Sequence, residues 1–374
     1  MIIADAHLDL AWNMLTFGRD YTRSAEETRR CEAGSLTLAL NGDTLLGWPD
    51  FLRGEVALIF CTLFASPFRL RQGDWDSQCY ADRGDALRLY TTQLNAYNRL
   101  FDEHTDKFKL VATQADLNGV LNSWEKYLAG PTQKPGHDAG HHTNPAVGLI
   151  MSMEGAEAVG EPAELEEWWE RGVRLIGPAW AGTRFCGGTN EPGPMTNEGF
   201  ALLDTMAEFG FGLDLSHMDE RASLQALDSY RGQVLASHCN SQALLKGIDG
   251  NRHLTDRVIR GLVEREGVIG VMPYNVFLKT GWKRGSSRQE VTLLHLVAHI
   301  DHICQISGNA QHVAIGSDFD GGFGLQSAPA EIDTIADLQK LCPLLAERGY
   351  SLDEIADILA NNWLNCLKNI LPVK

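Results

Sequence analysis

Histidines and acidic residues of the kinds that bind metal ions recur directly after short apolar segments of the sequence. The first group is DAHLD at 5–9, in which His7 and Asp9 lie two residues apart and so project to the same side of a strand. Four further candidates follow later apolar runs: Glu154, His217, His238 and Asp318. Imidazole and carboxylate groups together suit zinc or a similar borderline divalent ion.

The elements that must position these side chains read as alternating strands and helices. Eight apolar, β-branched runs are separated by helical patterns, which predicts βα units around a parallel sheet. The chain is therefore expected to be α/β, a (β/α)8 TIM barrel with insertions, although an open doubly wound sheet would give a similar pattern. Helices are predicted over 218–230 and over 254–265, the second with Thr255 as N-cap. The predicted strands are 1–4, 56–63, 147–151, 173–176, 211–215, 234–236, 268–272 and 313–315.

A barrel would bring the candidate ligands together, because the carboxyl ends of its strands all open into one active-site mouth. Five ligands exceed what one tetrahedral site needs, so two metal ions are the more natural interpretation. If Glu154 bridges two ions, a water molecule between them would be acidified to hydroxide near neutral pH. This arrangement predicts a hydrolase.

Composition narrows the classes of function. The chain has 374 residues, 44% of them hydrophobic and 22% charged, which is ordinary for a globular protein. Its formal charge of -17 argues against nucleic acid as a partner, since phosphate binding needs a basic surface. No apolar run approaches the roughly 18 residues that a membrane span needs, and the first residues lack a signal-peptide pattern. We therefore expect a cytoplasmic protein with no membrane partner, whose eight scattered cysteines are mostly buried thiols.

Nothing in the sequence resembles an interdomain linker, so residues 1–374 are expected to form a single domain. Two stretches exceed a normal connection: residues 66–108 are polar with helical patterns, and residues 124–145 predict a surface loop. Whether that loop closes over a substrate stays open at this stage. The last segment, 352–371, has the pattern of an amphipathic helix that caps the fold.

Six further histidines and one aspartate are interpreted as structural. Three histidines fall in the predicted 124–145 loop, and three more repeat at helical spacing in HLVAHIDH without the glutamate of a zinc-binding H-E-x-x-H motif. Asp320 and the two glycines after it are expected to shape the turn after the eighth strand. The histidines are His137, His141, His142, His295, His299 and His302.

In their order and spacing these motifs resemble the membrane (renal) dipeptidases, peptidase family M19 of the amidohydrolase-like barrels. The motifs are DAHLD at 5–9, MEG at 153–155, DLSH at 214–217, SHCN at 237–240, NRHLTD at 251–256 and GSDFDG at 316–321. The resemblance implies a binuclear zinc centre in which Glu154 bridges the two ions. His7 and Asp9 would complete one ion's ligands, and His217 and His238 the other's.

The resemblance also implies roles that spacing alone does not give. Arg252 would hold the C-terminal carboxylate of a substrate with its planar guanidinium group. Asp318 would contact the substrate amino group and pass a proton to the leaving nitrogen. Tyr274 matches a substrate-contacting tyrosine more loosely. Family members are often dimers and accept a D-residue at the C-terminal position, so the resemblance allows a homodimer and implies L-Xaa-D-Xaa substrates.

Trp180 departs from the family pattern, because it stands where these enzymes carry a substrate-facing histidine. A tryptophan cannot act as a general acid. Four interpretations stay open: Trp180 only packs the rim, the pocket is reshaped for another side chain, Arg184 supplies the missing positive donor, or the substrate differs.

The sequence thus predicts a zinc-dependent dipeptidase that hydrolyses small dipeptides with a metal-activated hydroxide. Hydrolysis of another small amide or ester is the alternative that Trp180 suggests. A metal-binding homologue without catalysis is a third reading, and the presence of Asp318 and Arg252 argues against it, since a scaffold needs no proton shuttle. Phosphotriester chemistry is disfavoured because the fourth strand carries no bridging lysine.

Overall fold

Eight parallel strands form a closed ring in the computed structural model, which describes residues 1–130, 144–247 and 250–373. Each strand pairs with the next one along the chain, and the ring closes where Asp5 of the first strand pairs with Ile315 of the last. The predicted barrel is therefore confirmed, and the open sheet is excluded. In chain order the strands are β1 Ile3–Leu8, β2 Val56–Phe64, β3 Val147–Glu154, β4 Val173–Gly177, β5 Gly212–Asp214, β6 Val234–Ala236, β7 Val268–Val271 and β8 Val313–Ile315.

The barrel strands are apolar along almost their whole length because helices cover their outer faces. Every residue of the eight strands is buried. The longest register joins β2 to β3, from Leu58 opposite Gly148 to Phe64 opposite Glu154. This pairing fixes Glu154 as the last residue of β3, at the carboxyl end of the barrel.

Helices surround the ring and fill its insertions. The hydroxyl of Thr255 accepts a hydrogen bond from the backbone N–H of Val258, which confirms the predicted N-cap. The helices are α1 Leu10–Phe17, α2 Ala25–Glu32, α3 Leu36–Leu40, α4 Trp48–Arg53, α5 Arg83–Glu103, α6 Gln114–Ala129, α7 Leu165–Glu170, α8 Asn197–Phe209, α9 Glu220–Ser229, α10 Asp256–Glu264, α11 Leu293–Ser307, α12 Leu341–Glu347, α13 Leu352–Ala356 and α14 Asn362–Ile370.

The insertions differ from their predicted form. An additional strand, Phe108–Leu110, pairs with the start of β3, so β3 is hydrogen-bonded to three neighbours along its length. Two further short pairs lie above the ring: Ser66–Pro67 with Cys79–Tyr80, and Cys186–Gly188 with Glu191–Met195. The predicted 124–145 loop begins later than expected, because α6 continues to Ala129; residues 131–143, with His137, His141 and His142, lie outside the described residues.

The C-terminal segment packs on the barrel as predicted, but it is not one regular helix. A π-helical stretch, Asp357–Asn361, separates α13 from α14. Trp363 is fully buried, donates a hydrogen bond from Nε1 to the Ile315 carbonyl at 2.8 Å, and packs edge-on against Phe60 with the rings 5.3 Å apart. Trp363 thereby ties the second and last strands of the ring together.

The cysteines are free thiols, and Cys61, Cys186, Cys239 and Cys366 are buried. Among the described residues, no helix is both long enough and apolar enough to cross a lipid bilayer.

Candidate metal centre and substrate cavity

The predicted ligands come together at the carboxyl end of the barrel. His7 lies near the end of β1 and Asp9 directly after it; Glu154 ends β3. His217 follows β5 and His238 follows β6. Each of the five side chains is at least nine-tenths buried.

Glu154 lies at the centre of this cluster. Its Oε1 is 2.9 Å from Nε2 of His217 and 3.4 Å from Nε2 of His238, while Oε2 is 3.6 Å from Nε2 of His7. The same Nε2 atom of His7 also lies 3.8 Å from Asp9 Oδ1 and 3.9 Å from Asp318 Oδ1. Among the described residues, two groups bring three donor atoms within binding distance of one ion: His7, Glu154 and His238; and His7, Asp9 and Asp318.

The state of the imidazoles fits a divalent cation. Nε2 of His7 is buried without a hydrogen-bond partner among the described residues. Nε2 of His217 and Nε2 of His238 lie 2.9 Å apart and both face Glu154, while each Nδ1 is held by a hydroxyl: Thr189 at 2.9 Å and Ser237 at 2.8 Å. Zinc-binding histidines commonly have one ring nitrogen held in this way and the other turned to the ion. The residues present therefore fit one or more divalent ions.

The electrostatics of the cluster also require a positive charge. Burial lowers the pKa of His7, but the charges of Glu154, Asp9 and Asp318 outweigh burial and raise that pKa to about 10. Burial and the positive charge of Arg252 lower the pKa of His217 to about 4, so its imidazole is neutral near pH 7, as metal binding requires. Burial raises the pKa of Glu154, but the charge of His7 and the hydrogen bonds with His217 and His238 outweigh burial and hold that pKa well below its usual range. Without an ion, a proton on His7 balances the carboxylates.

Two site residues adopt a backbone conformation that is uncommon for non-glycine residues. His217 has φ +67° and Asp318 has φ +55°, both in the left-handed region. Each lies three residues after the end of a barrel strand, where the chain turns. Such strained positions cluster at functional sites, because the turn directs a side chain that a regular strand could not aim.

A cavity of about 360 Å³ opens over this cluster. Most of the predicted site residues line this cavity. His7 and His238 are not among its lining residues. The predicted residues in its lining are Asp9, Glu154, Trp180, His217, Arg252, Tyr274 and Asp318.

Arg252 is positioned by the turn after β6. Its Nη2 donates to the carbonyl of His238 at 2.8 Å, and Nη1 contacts Sγ of Cys239 at 3.2 Å. These contacts fix a mostly buried guanidinium group in the cavity wall. Tyr274 lies nearby, with its ring stacked on Phe323 at 4.3 Å and its hydroxyl accepting from Arg284 at 3.2 Å.

Burial controls the protonation of Asp318. Burial raises the pKa of this carboxyl well above its usual range, and the negative charges of Asp9 and Glu154 add to that rise against the opposing charge of His7. Asp318 can therefore hold a proton in the cavity.

Trp180 occupies the rim after β4. Its ring lies 5.2 Å from the ring of Phe64 and 6.1 Å from that of His217. Arg184 does not replace the family histidine: its Nη2 donates to the carbonyls of Val159 and Gly160, and it lies outside the cavity lining. Of the interpretations of this departure, the one that invokes Arg184 loses its support.

The residues interpreted as structural do form structural contacts where they are described. Asp320 is fully buried and accepts from the Leu45 N–H at 2.9 Å and the Tyr21 hydroxyl at 3.1 Å, and it pairs with Arg19 at 3.0 Å. It thus joins the turn after β8 to the insertion after β1.

The three α11 histidines bond away from the metal cluster. Nδ1 of His299 accepts from the Ser241 N–H at 3.1 Å, and Nε2 of His302 lies 2.8 Å from Asp256. His295 bonds at the N-terminus of its own helix, to Thr292.

Several cavity residues were not predicted from the sequence. His253 follows Arg252 directly and buries both ring nitrogens without a hydrogen-bond partner among the described residues. Trp12 lies on α1, three residues after Asp9. This helical spacing could have indicated that the Trp12 side chain lies on the same side of the chain as Asp9. Trp75 and Asp76 reach the cavity from the insertion after β2, and no local pattern marks them.

Comparison with known proteins gives consistent matches. The family model described as membrane dipeptidase, peptidase family M19, matches residues 1–374. An uncharacterized protein in the pqqA 5′ region of Klebsiella pneumoniae is 33% identical over 77% of this chain and 98% of its own length. An uncharacterized dipeptidase of Schizosaccharomyces pombe is 26% identical over 80% of this chain and 72% of its own.

A solved structure shares the fold. The crystal structure of a metallopeptidase from Rhodobacter sphaeroides, liganded with a phosphinate mimic of the dipeptide L-Ala-D-Ala, matches 99% of each chain with a TM-score of 0.75 at 22% identity.

Proposed function

The chain belongs to the membrane dipeptidase family, peptidase family M19, whose members are metallopeptidases, and from this premise we propose that it is a zinc enzyme that hydrolyses small dipeptides, including L-Xaa-D-Xaa. The observation that carries the proposal is the convergence of three imidazoles and three carboxylates below one cavity, where Nε2 of His7 has no hydrogen-bond partner in the described part of the chain.

We assign two ions to this cluster. His7, Asp9 and Glu154 would hold one, and Glu154, His217 and His238 the other. The placement of Glu154, with one oxygen toward His7 and the other toward His217 and His238, supports its role as the bridge. When bound, such ions supply an acidified water molecule and polarise the scissile carbonyl.

The chain's own residues would bind the dipeptide and move the proton. Arg252, fixed in the wall by the His238 carbonyl, would hold the substrate carboxylate through two parallel hydrogen bonds. Tyr274 lies beside it and would orient the same end of the substrate. Asp318, whose carboxyl can hold a proton, would donate it to the leaving amine nitrogen.

The test is release of free amino acids from a panel of L-Xaa-L-Xaa and L-Xaa-D-Xaa dipeptides. Zinc-loaded protein should cleave members of the panel, a chelator should stop the reaction, and added zinc should restore it. If no dipeptide is cleaved while two bound ions are verified, the proposal is wrong. Hydrolysis of another small amide or ester would then be the better assignment, because the Trp180 ring stands beside His217 where the family carries a histidine.

A further inference from the structure

The cavity wall contains a buried carboxylate that the proposed mechanism does not use. Asp76 lines the cavity and is only 4% exposed. Its Oδ2 accepts one hydrogen bond, from the Gln72 N–H at 3.1 Å. Its Oδ1 is buried without a hydrogen-bond partner among the described residues.

No cationic group of the described chain compensates this carboxylate. Arg71 is the basic residue of the same loop, but its Nε donates to the Asp76 backbone carbonyl at 3.1 Å and its Nη1 pairs with Asp74 at 3.4 Å. The Cys79 thiol lies close to the carboxylate, yet burial and the Asp76 charge raise the pKa of that thiol to about 11, so it stays neutral. A buried carboxylate is costly unless a cation or several donors face it. Among the described residues Asp76 therefore has polar donors but no cationic partner.

The barrel places Asp76 across the cavity from Arg252. Asp76 belongs to the insertion after β2, and Arg252 follows β6. In a closed ring of eight strands, β2 and β6 are four positions apart in either direction, so they lie opposite each other. A dipeptide whose carboxylate is held at Arg252 would extend over Glu154 toward the β2 side, and its N-terminal residue would meet the wall that contains Asp76.

That wall suits a long side chain that ends in a positive charge. Trp12 and Trp75 both line the cavity there, with their rings 6.3 Å apart and nearly perpendicular. Indole faces pack against aliphatic stems and attract cations.

We propose that Asp76 is a specificity residue that binds the lysine or arginine side chain of a substrate's N-terminal residue. The inference rests on the proposed dipeptidase function and names its substrate class. The ammonium or guanidinium group would pair with the Asp76 carboxylate where it lines the cavity, and the stem would lie against Trp12 and Trp75.

The test compares lysyl-alanine with norleucyl-alanine, whose side chain has the same carbon stem without the charge, each with L- and D-alanine. The zinc-loaded wild type should show the higher kcat/KM for the lysyl substrates. Asp76→Asn keeps the acceptor for the Gln72 N–H and removes the charge. It should lower kcat/KM for lysyl-alanine by about 30-fold or more, as loss of one partner of a buried charge pair does, and leave norleucyl-alanine within about threefold.

Asp74→Asn is the matched control, because Asp74 lies two residues away with a fully exposed side chain. It should leave both substrates unchanged. If Asp76→Asn lowers both substrates equally, Asp76 serves a group common to all dipeptides or only its own loop, and the proposal is overturned. Equal wild-type kcat/KM for the two substrates would overturn it as well. Failure of the dipeptidase function itself would look different, since neither substrate would be cleaved.

Discussion

At the scale of single residues, His217 and His238 are the side chains whose removal should have the most direct effect. Both Nε2 atoms face Oε1 of Glu154. Replacing either by alanine removes one imidazole ligand, so we expect metal content to fall below two ions per chain. kcat/KM for a dipeptide should fall by roughly a thousandfold or more, since a catalytic ion lowers the activation barrier by several kcal/mol. Elemental analysis and steady-state kinetics on the same preparation measure both.

His302→Ala is the control for this pair, because His302 lies on α11 and bonds to Asp256 away from the cavity. It should keep its metal and its activity. A His217 or His238 variant that retained both full metal and full activity would remove that residue from the site.

Substitution of Thr189 tests whether a hydroxyl group holds the His217 imidazole in position for metal binding. Its hydroxyl lies 2.9 Å from Nδ1 of His217 and fixes the ring orientation. Thr189→Val keeps the shape and removes this hydrogen bond, so metal affinity should weaken by about 10- to 100-fold, which is the usual cost of losing such a contact. Competition with a chromophoric chelator measures the affinity. Thr205→Val on the exposed face of α8 should not change it, and an unchanged affinity in Thr189→Val would mean that the hydroxyl does not support the ligand.

The sequence predicted the clustering of the candidate ligands better than it predicted the rest of the cavity lining. His7, Asp9 and Glu154 were identifiable because they sit at or just after strand ends, where a barrel concentrates chemistry. The left-handed φ of His217 and of Asp318 had no local signal, since it follows from how the turn is tied to its neighbours.

At the scale of elements, α11 carries a histidine whose burial should make stability depend on pH. His299 is 1% exposed, and burial lowers its pKa to about 3. Below pH 6.5 the unfolded chain binds a proton that the folded chain does not, so stability falls as pH decreases from about 6.5 toward 3. The contribution of this residue is about 1.4 kcal/mol per pH unit within that window. His299→Asn keeps an acceptor for the Ser241 N–H and should flatten the decline by that amount.

Urea unfolding of the metal-free protein at pH 7, 6 and 5 measures this difference. His104→Asn serves as the control, because His104 is a partly exposed residue at the end of α5. It should follow the wild-type curve. Parallel curves for wild type and His299→Asn would show that His299 is not held neutral by the fold.

The bounds of a strand were predictable where the apolar run in the sequence coincides with the strand. β6 and β8 have the predicted bounds, whereas β1 begins two residues later than predicted and continues to Leu8, and β3 continues to Glu154. Strand ends follow from pairing with neighbouring strands, which no local pattern records. The insertion at 66–108 was predicted, but the strand Phe108–Leu110 and the placement of Trp75 and Asp76 at the cavity were not, because long-range contacts position them.

At the scale of the whole molecule, metal binding should stabilise the entire barrel, because the ligands come from strands distributed around the ring. Asp9, Glu154 and Asp318 bring three buried carboxylates close together in a chain of formal charge -17. Cations bound between them would replace the His7 proton as the positive charge that balances these carboxylates, and only the folded state offers that site. A ligand present at about a thousand times its Kd stabilises the folded state by about 4 kcal/mol.

Chelation should therefore lower the Tm by several degrees, and added zinc should restore it. Differential scanning calorimetry of the zinc-loaded, chelated and reloaded protein measures the shift. The Tm shift on chelation should be much smaller in His238→Ala, which removes one proposed metal ligand. In His302→Ala the Tm shift should equal that of the wild type. Because all eight strands close one ring, the transition should stay single with and without metal. A chelated protein with unchanged Tm would mean that the cluster does not hold its ion tightly enough to couple metal binding to folding.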